Sequence, residues 1–232
     1  MIDLKSATEL KDIISNKIIN KIEDLQGNVW YEKKSKTEYT ELEYIESTGT
    51  QYIDTLYVPN DNTNIYLDYM SLALDLGFEL SGRKSRITNE FTYWGSFSEG
   101  VWCSYGNNNA TTFTGYKLRT NTRYQVKMGR YIGLRYSTNN FASQNTLRSS
   151  FSNPLTGVVS LGIFAGHDLS EPTGWGGKTK TRLYRLTISE GNNTVHDFIP
   201  VLDSNNVPCI YDLITETYFY NQGTGSFNYK AK

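Results

Sequence analysis

Three glutamates raise the first chemical question. Glu41, Glu43 and Glu46 stand in the stretch "ELEYIESTGTQYIDT" with the spacing E-x-E-x-x-E. Two carboxylates can cleave a glycosidic bond, one as nucleophile and one as acid/base, when they flank it about 5–5.5 Å apart. Along a regular strand successive side chains alternate between faces, so Glu41 and Glu43 share one face and Glu46 takes the other. A bulge would bring Glu46 round, but nothing in the sequence marks one. The simpler role for the acids is to keep the exposed side of a strand soluble while Leu42, Tyr44 and Ile45 are buried.

The other candidate groups are sparse. The chain has two histidines, in the pairs His167-Asp168 and His196-Asp197. Neighbours on a strand point apart, and no nucleophile motif lies nearby, so the imidazoles read as loop or surface groups rather than members of a triad. Cys103 and Cys209 are far apart and outside any CxxC or Cys/His cluster, which excludes a sequence-recognisable zinc site and predicts two free thiols. Oxygen ligands suited to calcium occur in "PNDNTN" (Pro59–Asn64) and "DSNN" (Asp203–Asn206), where the same side chains also serve turns. Trp94, Trp102, Tyr105 and Trp175 lie near glycine-rich loops. They are the candidate ligand-binding residues, because sugar rings stack their C–H faces on exposed aromatics. The competing reading is plain sandwich core.

The elements that must position these groups read as strands. "NIYLDYM" sets Ile65, Leu67 and Tyr69 against Tyr66, Asp68 and Met70, and "RLYRLTI" sets Tyr184, Leu186 and Ile188 against charged neighbours. "RYQVKMGRYIGLRYS" places two alternating runs around Gly129-Arg130, a hairpin signature. "GVVSLGIFA" (Gly157–Ala165) is a continuous apolar run, as in a strand buried on both faces. "VPCIYD" and "TYFYN" follow. Loops such as "GNNNATTFTG" and "STNNFASQN" are rich in turn residues. No long helix is indicated after Lys36, which predicts an all-β, antiparallel, two-sheet sandwich or a barrel over residues 37–232.

Residues 1–36 differ in character. Ser6 and Glu9 fit a capping box opening a helix from about Ala7 to Asn16, and Leu10, Ile14, Ile18 and Ile22 share one helical face. Beyond it, "KIINKIEDLQGNVWYEKK" either extends the helix or forms a hairpin around "LQGN"; its β-branched residues and Gly27 favour the hairpin. The segment is too small to bury its own apolar side. That surface must pack on the main domain or on a partner, and Ile14, Ile18, Ile22, Val29 and Trp30 are the candidate partner-binding residues, anchoring the chain or making it a homo-oligomer.

Bulk properties narrow the function. The net charge of −1 lacks the basic footprint of a dedicated nucleic-acid or anionic-membrane binder. No apolar run is long enough to span a bilayer as a helix. The opening "MIDLKSATELKD" has no signal-peptide pattern, so no secretion signal is expected.

Two phrases carry a family likeness. "LEYIESTGTQYIDT" near the start and "KTRLYRLTISEGNNTVHDFIPVLDSNNVPCIYDLITETYFYNQGTGSF" near the end resemble the laminin-G-like, concanavalin-A-like jelly-roll modules of bacteriophage structural proteins and gut-bacterial surface proteins. The likeness covers about Leu42 to Phe227. One departure is Leu56, where the family commonly has Gly. The resemblance implies a jelly roll whose first and last strands are neighbours, with Gly223 and Gly225 supplying positive φ in the closing turn. It implies a non-enzymatic virion protein assembled in the host cytoplasm: a capsid decoration, head fibre or tail appendage. Its partners would be other virion proteins and a host-surface glycan, with calcium as an optional ion. A bacterial surface lectin is the alternative. The acids also resemble the E-x-D-x-x-E strand of laminarinase-type hydrolases, but the middle residue is Glu43, and the motif lies at the start of the domain rather than on a central strand.

Overall fold

The computed structural model describes residues 21–23, 29–33, 39–73, 79–85, 88–97, 100–106, 111–113, 116, 118–155, 159–168 and 174–232. Among them are twenty strands and no helix. They are β1 (Lys21–Glu23), β2 (Val29–Lys33), β3 (Thr40–Glu46), β4 (Ile53–Asp54), β5 (Thr63–Ser71), β6 (Leu80–Ser85), β7 (Thr88–Phe97), β8 (Gly100–Gly106), β9 (Thr111–Phe113) and β10 (Arg123–Gly129). Then come β11 (Gly133–Ser137), β12 (Asn145–Arg148), β13 (Gly162–Ile163), β14 (Gly166–Asp168), β15 (Trp175–Gly176), β16 (Thr181–Glu190), β17 (Asn193–Leu202), β18 (Pro208–Asp212), β19 (Thr217–Phe219) and β20 (Asn228–Ala231). For β1, β2, β9 and parts of β6–β8 only the backbone is described.

The strands form two sheets. The large one runs β1-β2-β19-β18-β17-β3-β16-β5-β10-β11-β12, with β20 paired to β3; the small one runs β15-β14-β6-β7-β8-β9, with β4 and β13 attached. The pairing is antiparallel except for β14 with β6, which is parallel and departs from the expected all-antiparallel pattern. Alternation decides which face is buried. On β5, Ile65, Leu67 and Tyr69 enter the core while Tyr66 and Met70 lie on the outer side. Leu186, Ile188, Val126 and Met128 meet them from β16 and β10, and Leu80, Phe91, Tyr93 and Cys103 close the core from the small sheet. The Tyr69 and Tyr93 hydroxyls hydrogen-bond at 2.8 Å across the sheets. Cys103 and Cys209 are both buried and neither is in a disulfide, and burial pushes the Cys103 thiol up to about 12.

Two expected elements differ. Of the Gly157–Ala165 run the described residues are 159–165; among them Ser160 to Ala165 are buried, but only Gly162–Ile163 is strand. Phe164 turns the chain at φ 65°, so burial there serves a corner rather than a long strand. In the N-terminal stretch, Lys21–Glu23 and Val29–Lys33 pair as a hairpin. Its second strand adds to the sheet edge, Lys33 opposite Thr217 and Tyr31 opposite Phe219. Ile22, Val29 and Trp30 thus sit on strands docked to the chain's own sandwich; the expected helix, with Ile14 and Ile18, lies outside the described residues.

The two quoted phrases meet at one end of the sandwich. Gln222 N–H donates to Tyr52 O at 2.9 Å, and Thr224 N–H donates to Thr50 O at 3.3 Å. Gln51 Nε2 and Thr50 Oγ1 both donate to Thr224 O, at 3.1 and 2.9 Å. Asn221 Oδ1 accepts from Tyr52 N at 3.2 Å and from Gly223 N at 2.8 Å. Gly225 has the expected positive φ of 74°. Gly223 does not; it is required by space, since an added Cβ would sit 2.0 Å from Thr50 O. Leu56 holds φ 59°, so the turn expected of a glycine is retained by leucine, at about 1–2 kcal/mol of backbone strain. Within residues 37–232 the first and last strands, β3 and β20, are neighbours as expected: Leu42 pairs with Ala231, and Glu46 with Asn228.

Candidate binding groove

The glutamates come first, because the structure changes their geometry. Leu42 and Ile45 are both buried although three residues apart. The ladder accounts for it: Tyr44 opposes Lys230 and Leu42 opposes Ala231, so Glu43 is an extra, bulged residue. The bulge corrects the strict-alternation expectation. Glu41, Glu43 and Glu46 all lie on the outer face, and Tyr44, expected in the core, lies there with them. Each acid is engaged by a cation. Glu41 pairs with Lys232, Glu43 with Lys230 at 2.7 Å, and Glu46 with Arg182 at 2.6 Å and Asn228 Nδ2 at 3.1 Å. The Lys230 hydrogen bond holds the Glu43 carboxyl below its usual range, opposite to the shift a general acid needs. The acids fasten β20 and β16 to β3.

Beside them the outer face opens into a groove of about 740 Å³. Tyr66 and Asp68 of β5, Arg123 and Gln125 of β10, and Tyr184 and Arg185 of β16 form its floor; Asn139 and Asn140 of the β11–β12 turn and Lys232 stand at its margins. A second bulge shapes it. Leu183 opposes Tyr69 and Arg185 opposes Asp68, which leaves Tyr184 as an inserted residue. Leu183 and Leu186 remain in the core while Tyr184 and Arg185 line the groove.

The floor is hydrogen-bonded throughout. Arg123 grips Asp68 through Nε and Nη2, both at 2.8 Å, and lies 3.8 Å above the Tyr184 ring. Gln125 Nε2 donates to Asp68 at 3.2 Å while its Oε1 accepts from Asn140 N at 3.0 Å. Tyr66 OH donates to Asn140 Oδ1 at 3.2 Å. Arg185 grips Asp197 at 2.8 and 2.5 Å, and Thr187 Oγ1 donates to the same carboxylate at 3.2 Å. The Asp68 hydrogen bond raises the Arg123 pKa, and the Asp197 hydrogen bond does the same for Arg185. Both guanidiniums are held rigid and charged.

The aromatic candidates fall elsewhere. Tyr105 is buried, stacked on Phe151 at 4.7 Å; it is a core residue, which corrects its reading as a surface ligand. Trp175 is half-buried and stacks on Tyr52 at 4.6 Å and on His167 at 4.3 Å, so its ring is used in packing. Trp94 and Trp102 are directly paired in the β7–β8 ladder, and their side chains lie outside the described residues. Tyr66, Asp68, Arg123, Gln125 and Arg185 were missed because they belong to the polar half of alternating strands, and Tyr184 because the bulge brings it out from the apolar side on which it was expected. The charges of opposite sign on "NIYLDYM", "RYQVKM" and "RLYRLTI" were the available signal.

The histidines and calcium loops also have structural employment. His167 Nδ1 meets Ser160 Oγ at 2.8 Å. His196 Nδ1 meets Asp212 Oδ2 at 2.7 Å, and Asp212 also accepts from Asp197 N, Ile214 N and Thr215 Oγ1. Burial pushes the Asp212 carboxyl up, but its hydrogen bonds, led by His196, bring it below the usual range. In the calcium candidates, Asp61 pairs with Arg130 and accepts from Leu155 N at 2.6 Å. Asp203 accepts from Asn205 N, Val207 N and Tyr220 OH. No cluster of three or more His, Cys, Asp or Glu residues suited to a metal occurs among the described residues.

No protein-family model matches the chain, and no curated protein matches it significantly.

Proposed function

We propose that this chain is a non-enzymatic attachment module of a bacteriophage virion, a capsid decoration, head fibre or tail appendage of concanavalin-A-like jelly-roll type. Its groove on the large sheet grips a host-surface glycan. The observation that carries this reading is the groove itself. It combines rigidly held guanidiniums, amides and a tyrosine hydroxyl at one concave place, the kind of polar lining that orients a ligand. Two further points support it. The phrases that resemble virion modules are clasped together by backbone and side-chain hydrogen bonds, and the glutamates that resemble a hydrolase motif are occupied by Lys232, Lys230 and Arg182. The β1–β2 hairpin extends the sheet edge, and the N-terminal segment to which it belongs would anchor the module to a virion partner or a second copy.

The test has two parts. Antibody against the chain should label particles released from cells that encode it; label confined to the cell envelope would favour the bacterial lectin instead. Purified chain should also bind host cells and compete with particle adsorption without releasing sugar. Hydrolysis of a β-glucan that disappears in Glu41→Gln would overturn the non-enzymatic reading.

A further inference from the structure

The ion pairs on the outer face share an orientation. Arg123 keeps 46 % of its side-chain surface exposed and Asp68 only 9 %; Arg185 keeps 48 % and Asp197 13 %. Lys232, at the groove margin, is more exposed than Glu41, Lys230 more than Glu43, and Arg182 more than Glu46. In all five pairs the carboxylate lies deeper and the cation faces water. Five positive and five negative groups cancel in charge. Their dipoles do not cancel, because the positive ends point outward together. Aligned dipoles produce a positive potential without net charge, as the backbone amides of a nest do. At Asp68 and Asp197 the carboxylate oxygens are occupied from within, so solvent meets the guanidiniums there, whereas Glu41 and Glu43 stay 46 % and 37 % exposed beside their lysines.

We propose that the groove is specific for an anionic polysaccharide, one that presents carboxylates such as uronic acids along its chain. The Nη1 groups of Arg123 and Arg185 are not needed for the grip on Asp68 and Asp197, which uses Nε and Nη2 of each. They remain as donors for ligand oxygens, and charge-assisted bonds to a carboxylate are the strongest such donors make. Lys232 adds a third cation at the margin. Tyr184, 9 % exposed and covered by Arg123, is not free to stack on a sugar face. Recognition therefore falls to charged and polar donors rather than to a stacking platform. Because each guanidinium is already paired, the site discriminates by geometry and resists indiscriminate adhesion to polyanions.

This inference rests on the groove being the glycan site proposed above, and the experiment separates the two. Calorimetric titration would compare polygalacturonate, dextran sulfate and neutral dextran. Polygalacturonate should bind, and should bind at least about tenfold more weakly in about 1 M NaCl, where the screening length falls to about 3 Å. Lys232→Glu, a rim change with no folding role beyond its exposed pair, should weaken binding several-fold. Arg185→Gln should abolish it while thermal unfolding stays cooperative. Dextran sulfate binding as tightly as polygalacturonate would overturn the carboxylate preference, whereas weaker dextran sulfate binding that is lost in the same variants would uphold it. Neutral dextran or neutral host glycan binding through the groove, with no preference for polygalacturonate, would overturn the inference and leave the attachment reading standing. Binding by none of the polymers or host glycans would remove both.

Discussion

The clasp at one end of the sandwich and the groove on its outer face are built from the same materials and reach opposite ends. Both use polar side chains on or beside the large sheet. In the clasp, Gln51 and Asn221 bond to backbone atoms, and at the end of β18 Asp212 does the same work, accepting from Asp197 N and Ile214 N as well as from His196 and Thr215. In the groove, Arg123 and Arg185 bond to carboxylates that lie deeper than they do, and donors remain on the solvent side. Polar groups that satisfy backbone define a fold, because each partner is a fixed feature of the chain path. Polar groups that satisfy one another leave a surface whose chemistry can change without moving a strand.

That contrast can be broken most sharply at Asp212. Asp212→Ala leaves four donors, from His196, Asp197, Ile214 and Thr215, without their acceptor. A loss of about 3 kcal/mol is expected in urea unfolding; a loss below about 1 kcal/mol would mean that the node is not structural. Next comes Gly223→Ala, whose methyl group would collide with Thr50 O and should cost about 2 kcal/mol. Its control is Gly191→Ala in the β16–β17 turn, where the site is open and only the φ of 60° opposes a side chain, at about 1 kcal/mol. Equal losses at the two sites would remove steric closure from the account of the clasp.

Acid sharpens the same comparison. The folded-state pKa of Asp212 lies below its unfolded value. Its stabilisation is therefore complete above about pH 4, the unfolded range for aspartate, and is lost as pH falls through the depressed folded value. Unfolding midpoints measured from pH 5 downward should show this step in the wild type and a smaller one in Asp212→Asn. The smallest effect belongs to the outer face. Glu41→Gln, at an exposed pair with Lys232, should change stability by less than about 0.5 kcal/mol. A larger loss would show that the outer pairs hold the fold as well as line the groove.

Much of the fold was legible from residues that alternate or turn. Ile65, Leu67 and Tyr69 marked the buried side of β5, and Gly129-Arg130 marked the β10–β11 hairpin. The neighbouring first and last strands followed from the resemblance. The two bulges were not legible. At Glu43 and Tyr184 an extra residue is accommodated by the partner strand, and neither position carries a glycine or another local signal. Missing them hid the common face of the glutamates and the groove floor with it. Trp175 misled for a related reason: a large aromatic beside glycines suggests an exposed platform, yet Gly162 is the space into which its ring packs, with a virtual Cβ 2.4 Å from Trp175 Cζ3.

The adjacency of β3 and β20 has a practical corollary. Within residues 39–232, Tyr39 and Lys232 are brought close by Leu42 opposite Ala231 and by the Glu41–Lys232 contact. A module whose entrance and exit stand side by side can be spliced into a surface loop of an unrelated carrier without prising that loop apart. The same closeness lets a short tether join the two ends, so that new termini can be cut elsewhere, for instance at the exposed Asn139–Ser143 tip.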